Sequence, residues 1–465
     1  MTAAFPPFPP VIDQTIHRTP LDLWSSLAFA AIVAASTYCA FHRKAWLLGV
    51  LAFAVPFAAY RDVGSTTITI EKCLALGTAV GLLCSGVPLI PRSRPARCVL
   101  LAGAAIMLTV ALSVVHAPYP VHVAREFFKQ AEYLVLFWCA ATLVERTARA
   151  QHAFIYGVVA SSLIVCIFAV SQAVLGGAPS GIWLNDHPLP RVAGQLEGPN
   201  QLAGFLEAAL PVLWVAPVLP GFLTPARAWA TGVSASAFVL TLSRTGALVT
   251  ALSYAFLWRL DRARARTAAL PMIIGVAFGC IVAGLWFFYW AHAGLTGLER
   301  RLLFASLQQP GGVGTRGELW RAAIALFKRD PLTGVGAGNY ELLLPTVGLH
   351  GVQTQASSLW LQTLAEQGIV GLAALSAFAV VALRQTFALS KTSALSLAAF
   401  LAIASLLAHQ LVDDLFFFPK VAALCWLLLG AATASPLFEV KQASPDGRTD
   451  LTRSIPVAES LGSPS

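Results

Sequence analysis

Three arginines stand beside long apolar blocks: Arg191 in the segment 176–200, Arg244 in Leu242–Ser243–Arg244–Thr245–Gly246, and Arg316 in the segment 293–357. A guanidinium offers a planar fork of donors that grips phosphate bidentately. Three of them next to apolar helix ends suit a lipid diphosphate whose head lies at a membrane surface. The competing reading is structural: snorkelling, or pairing with Glu197, Glu299, Glu318 and Asp330. Two further groups could accept a proton. Glu366 falls about two turns into an apolar stretch, where an ionisable side chain suggests function, although packing against a polar loop would explain it as well. His350 has an unperturbed pKa of about 6.5, close to neutrality, although a lone loop histidine is commonly just solvated. Asp413 and Asp414, just before Phe416 to Pro419, could orient a basic partner.

The elements that must hold these residues follow from composition. Of 465 residues, 57% are hydrophobic and 11% charged; an ordinary soluble domain has about 45–50% and about 25%. Mean hydropathy is +0.71. So few charged groups cannot cover a soluble globule. This excludes a soluble enzyme, a disordered chain and a nucleic-acid-binding module. Long apolar blocks, in place of short alternating segments, exclude a β-barrel. The fold class is therefore all-α, a polytopic integral membrane protein. A span needs about 20 mainly apolar residues. Candidate blocks lie at 24–41, 46–60, 70–90, 98–115, 127–144, 152–175, 201–219, 229–242, 245–260, 271–292, 358–383, 394–411 and 421–434, giving 12 or 13 spans.

The formal net charge is +9, which in a membrane protein reads as cationic cytoplasmic loops. Arg92, Arg94 and Arg97; Arg146 and Arg149; Arg259, Arg262, Arg264 and Arg266; and Arg384 with Lys391 all fall on one side of alternating spans. That side is the cytoplasm. The opposite side carries the loops 176–200 and 293–357, and long ordered loops of this kind are usually functional. The expected organisation is an N-terminal tail (1–23), a transmembrane domain (24–434) and a disordered cytoplasmic tail (435–465). The eight cysteines contain no CxxC pair, and no His/Cys/Asp cluster has ligand spacing, so no metal or other cofactor is expected.

The longer loop is legible inside. Thr315 and Glu318 have capping-box spacing. Trp320, Ala323, Ile324 and Phe327 then repeat at helical spacing, with Arg321, Lys328 and Arg329 on other faces. The spacing predicts an amphipathic helix that lies in the interface plane and caps a cavity. Pro331 stops it, and Gly334, Gly336 and Gly338 make a tight turn. That turn follows a helix and not a strand, which excludes a dinucleotide fold.

Three stretches, in order, resemble one family: Arg191–Val–Ala–Gly194–Gln–Leu–Glu–Gly–Pro199–Asn200–Gln–Leu–Ala203; Ser243–Arg244; and Arg316…Trp320…Pro331…Gly334–Val–Gly336 followed by Leu359–Trp360–Leu361–Gln362…Glu366–Gln–Gly368. The set is similar to the O-antigen ligase/polymerase superfamily, which includes bacterial O-oligosaccharyltransferases. The resemblance implies transfer of a glycan from undecaprenyl diphosphate to an acceptor, lipid A-core or another glycan, at the periplasmic face of the bacterial inner membrane. It implies no metal or nucleotide; the partners are the lipid-linked donor, the acceptor and membrane lipids, with no nucleic acid. Carried over position by position, Arg191 and Arg316 grip the diphosphate and Arg244 supports them. Asn200, Arg321, Trp320, Gly334 and Gly336 fall with the substrate-binding motifs. Where ligases of this family commonly carry His-Asn, this chain has Ser357–Ser358. The acceptor proton is then expected to go first to the leaving diphosphate, second to Glu366 and third to His350. Ligation ranks ahead of polymerisation, which joins lipid-linked repeats. A lipid-linked sugar transporter is the remote alternative, disfavoured because no internal repeat is found.

Overall fold

The structure is a computed structural model that describes residues 22–57, 60–63, 66–175, 180–184, 187–216, 223–289 and 313–434. The expected tails, up to residue 21 and from residue 435, lie outside the described residues, as does the part of the long loop up to residue 312.

Every one of the thirteen apolar blocks contains a helix. They are α1 (Leu23–Phe41), α2 (Leu47–Ala54), α3 (Ile70–Cys84), α4 (Arg94–Leu112), α5 (Pro120–Arg146), α6 (Arg149–Leu175), α7 (Pro199–Val215), α8 (Leu223–Leu240), α9 (Arg244–Leu260) and α10 (Arg262–Tyr289). The long loop contributes α11 (Val313–Phe327) and the single turn α12 (Tyr340–Leu343), and α13 (Leu359–Leu389), α14 (Ala394–His409) and α15 (Pro419–Thr433) follow. Among the described residues six helices are long and apolar enough to cross a membrane: α1, α4 with the 3-10 turn after it, α5, α6, α10 and α13. The chain is an all-α polytopic membrane protein. Strands occur as two antiparallel hairpins, β1 (Tyr60–Val63) with β2 (Thr66–Thr69), and β3 (Ser180–Leu184) with β4 (His187–Pro190).

Two expectations need correction. The block 46–60 is not a full span. Its helix has 8 residues, about 12 Å at 1.5 Å per residue. Pro56, which cannot donate a helix hydrogen bond, follows at its end, and the chain turns into the first hairpin. In the long loop, α11 starts at Val313, so Thr315 lies inside the first turn and is not its cap. The buried face is Leu319, Ala322, Ala323 and Leu326, not the expected 320/323/324/327 stripe, and Ile324 is exposed. The reason is the partner. The helix packs on Val335, Tyr340, Leu343 and Leu344 of its own loop and on Ala365 of α13, so a protein surface sets its rotation.

The centre of the bundle is α7, α14 and α15, buried along nearly their whole lengths, as expected of helices apolar on all sides. Around them α1 packs on α3, α8 on α10, α2 on α6 and α5 on α15. At the α2–α6 crossing Gly49 and Gly157 bring the backbones together; a Cβ on either would collide with a carbonyl of the other helix. Such small-residue contacts let helices approach in lipid, where no hydrophobic force drives them together.

Candidate active site

Four separate stretches of chain converge at one end of α7. Arg191 follows the second hairpin, is buried, and donates from Nε to the Thr241 carbonyl at 2.6 Å and from a terminal nitrogen to Asn200 Oδ1 at 2.8 Å. The first bond holds the carbonyl end of α8, where a cation is favoured. Asn200, in the first turn of α7, donates from Nδ2 to Asp413 Oδ2 at 2.6 Å. The same carboxylate oxygen lies 3.5 Å from a terminal nitrogen of Arg316, in the first turns of α11. Arg244 opens α9 behind its cap Ser243 and lies near enough to Arg316 for the two charges to act on each other. Asp413 thus links two guanidiniums, Arg316 directly and Arg191 through Asn200, with Arg244 near Arg316. Below this cluster, His409 Nδ1 and Glu207 Oε1 are 2.6 Å apart, both side chains almost fully enclosed.

The glycine turn and Glu366 form a second construction. The helix α13 is interrupted at Gly368, whose φ of +65° lies in the left-handed region that costs other residues steric strain. The interruption leaves main-chain groups without helical partners, and the loop supplies them. Val335 N–H donates to Ala365 O at 3.0 Å, and Gly336 N–H to Glu366 O at 2.9 Å. Ile369 N–H donates to Pro331 O at 2.9 Å. A Cβ at Gly334 would collide with the Glu366–Gln367 peptide, and one at Gly368 with the Leu332 carbonyl. Glu366 is buried, and its Oε1 accepts from Tyr340 N–H at 3.1 Å and from Gln362 Nε2 at 3.4 Å. The turn therefore fixes Glu366 from both backbone and side chain.

Glu366 faces a cavity of about 290 Å³ between α4, α5, α13 and the turn before α15. Asp414 lines it too. Its Oδ1 accepts from Phe416 and Phe417 N–H at 3.2 and 3.1 Å, and its own N–H donates to Asp413 Oδ1 at 2.8 Å. Burial pushes the Asp414 carboxyl up to about 7, against an opposing pull from Lys129. The adjacent residues Asp413 and Asp414 therefore belong to two sites, the arginine cluster and the cavity.

Of the residues singled out from sequence, the structure brings together Arg191, Asn200 and Arg316 through Asp413, with Arg244 beside them. Trp320 donates from Nε1 to the Ser357 carbonyl at 3.4 Å, and Ser358 caps α13. Gly334 and Gly336 lie against Glu366 and, for Gly336, Ala117. Arg321 is exposed and donates to Gly317 O of its own helix at 3.2 Å. His350 is exposed in the turn between Gly348 and Gly351 and joins neither group. Of the supposed structural partners, Glu197 pairs with Lys420 at 3.3 Å and Asp330 with His116 at 2.9 Å, while Glu299 lies outside the described residues. Sequence reasoning missed Glu126, Lys129 and Tyr133 of α5 and the Glu207–His409 pair. A Glu–Lys pair three apart at the start of a helix whose second half is apolar, here 2.7 Å apart, was the available signal. Among the described residues no group of three His, Cys, Asp or Glu side chains is placed to hold a metal ion.

Residues 229–376 match the family model of the O-antigen ligases, in agreement with the resemblance of the motifs. The matched stretch contains Arg244, Arg316 and Glu366, while Arg191, Asn200 and Asp413, which complete the cluster in space, lie outside it. Comparison with the curated proteins gives no match. The family match supports a membrane glycosyltransferase of the O-antigen ligase/polymerase type, with lipid-linked glycan substrates.

Proposed function

We propose that the chain transfers a glycan from undecaprenyl diphosphate onto lipid A-core at the periplasmic face of the bacterial inner membrane, without a metal. The observation that supports this reading is the convergence of Arg191, through Asn200, and Arg316 on Asp413, with Arg244 near Arg316. Fixed cations stabilise charge most where water is excluded, and the charge that grows in this reaction is on the departing diphosphate. The acceptor hydroxyl oxygen forms the new bond to the anomeric carbon as the bond from that carbon to the diphosphate oxygen breaks. The electron pair leaves with undecaprenyl diphosphate, and the hydroxyl proton passes to one of its phosphate oxygens. Deleting the gene and separating the glycolipids on a gel tests the assignment. Lipid A-core without any O-antigen cap is the expected result, and a full ladder of caps would refute it.

Polymerisation of lipid-linked repeats is a second reading, favoured by one observation: Ser357–Ser358 stand where ligases of the family commonly carry His-Asn. In the structure these serines accept from Trp320 and cap α13. The same gel would then show cores capped by a single repeat.

Proton transfer to the phosphate requires no strong side-chain base. His350→Ala and Glu366→Gln are expected to stay within a few-fold of wild type in transfer from purified donor. Glutamine keeps an oxygen for the Tyr340 and Gln362 donors, so the Glu366 substitution tests the carboxylate alone. A loss of about 10²-fold or more with donor binding retained would identify that residue as the general base.

A further inference from the structure

The cavity beside the arginine cluster has a chemistry of its own. Its walls carry four carboxylates, Glu126, Glu341, Glu366 and Asp414, against two fixed cations, Arg125 and Lys129. Lys129 is already bound to Glu126 at 2.7 Å, and Arg125 is exposed. The lining therefore favours hydrogen-bond donors over anions, the reverse of the arginine cluster on the other side of Asp413. Phe416 and Phe417 present aromatic surface, and Phe378 and Trp426 line it from the bundle side. Tyr133 also lines the cavity, and its buried hydroxyl has no hydrogen-bond partner among the described residues. A buried polar group left unmatched costs about 1–3 kcal/mol, so the unmatched hydroxyl of a cavity-lining residue points to a ligand that completes it. The volume lies just under the roughly 300–1,000 Å³ of small-molecule pockets, enough for one sugar ring and too little for a glycan chain.

We propose that this cavity is the acceptor subsite, holding the terminal sugar whose hydroxyl attacks, with carboxylates taking its hydroxyl protons in hydrogen bonds and an aromatic side chain against its apolar face. The proposal rests on the glycosyl-transfer reading above. It divides the work by charge: the diphosphate sits among the arginines, the neutral polyol in the acidic cavity, and the Asp413–Asp414 step separates them. A diphosphate in the cavity would face four carboxylates, which is why the donor is assigned to the other side.

The terminal sugar can come from lipid A-core or from a second lipid-linked repeat, so the test has two arms. Purified full-length protein in lipid nanodiscs is given lipid-linked donor and, as acceptor, either lipid A-core or lipid-linked repeat. The arm in which wild type turns over identifies the source. In that arm Tyr133→Phe and Glu341→Gln are each compared with wild type. The acceptor KM should rise about 3–30-fold, the range of one lost hydrogen bond to a neutral or charged group. The donor KM and kcat should stay within two-fold. Tyr133→Phe removes only an oxygen that has no partner in the empty protein, so folding is retained and the KM reports the ligand. A rise in donor KM with acceptor KM unchanged, or no change in either variant, overturns the subsite. Absence of transfer by wild type in both arms refutes the transfer reading itself, so the two failures are distinguishable.

Discussion

Arg316→Ala and Arg191→Ala are each expected to reduce transfer about 10²–10³-fold, the typical effect of removing one preorganised charge contact from a developing anion. The measurement is turnover of purified lipid-linked donor in buffer containing EDTA, so that the assay also checks independence from metal. The two substitutions should differ in stability. Arg316 is partly exposed and has an ion pair of 3.5 Å with Asp413, so its alanine variant should melt close to wild type. Arg191 is buried and holds both the Thr241 carbonyl and Asn200. Losing these bonds should lower stability by about 1–3 kcal/mol, with the protein still inserted. Lysine at either position should restore activity only partly, because a point charge replaces the bidentate fork. Near wild-type turnover in both alanine variants would remove the proposed diphosphate site.

Gly368→Val is expected to destabilise the protein by about 4 kcal/mol or more, the range reached by strained backbone combined with a buried clash. The new side chain would occupy a left-handed position and collide with the Leu332 carbonyl. It would also push away the loop that satisfies the open main-chain groups of α13. In lipid each unsatisfied backbone group costs several kcal/mol. The readouts are the yield of monodisperse protein in detergent and the rate at which a protease cleaves the 313–357 segment. Gly284→Ala is the control, since a Cβ there meets nothing within 4 Å and alanine favours a helix. Equal yields and equal cleavage of the two variants would show that the docked turn does not hold α13 together.

The membrane class was legible because hydropathy is an additive property of local sequence: each apolar block became a helix. Arg191, Asn200, Arg244 and Arg316 could be named because charge beside apolar helix ends is conspicuous, and because ordered motifs resemble a family. The residue that joins Asn200 to Arg316 was harder to see. Asp413 lies far along the chain, and only packing of α7 against α14 brings it to Asn200. The rotation of α11 was misread because periodicity identifies an apolar stripe but not what the stripe meets. A lipid surface would have accepted Ile324, whereas the loop selected Leu319, Ala322, Ala323 and Leu326. The cavity was invisible because Glu126, Lys129 and Tyr133 come from one helix, Glu341 and Glu366 from the loop and α13, and Asp414 from the turn before α15. For Gly334 and Gly336, sequence suggested a substrate-binding turn; the Glu366 backbone occupies the space a side chain would take at Gly334, and Ala117 the space at Gly336.

The place of Asp413 between the last two helices has a consequence for biosynthesis. A ribosome delivers this chain from its N-terminus, so Arg191, Asn200, Arg244 and Arg316 reach the membrane before the carboxylate that joins Asn200 to Arg316. Until the turn after α14 is in place, Arg316 must stay hydrated or pair with a lipid phosphate, because an uncompensated charge is costly in a dry bundle. A chain that stalls before α14 keeps Arg191 on Thr241 and Asn200 but lacks the Asp413 carboxylate that faces Arg316, and is therefore inactive. Closure of the site therefore coincides with completion of the bundle: the link from Asn200 to Arg316 forms only when the segment between the last two helices arrives.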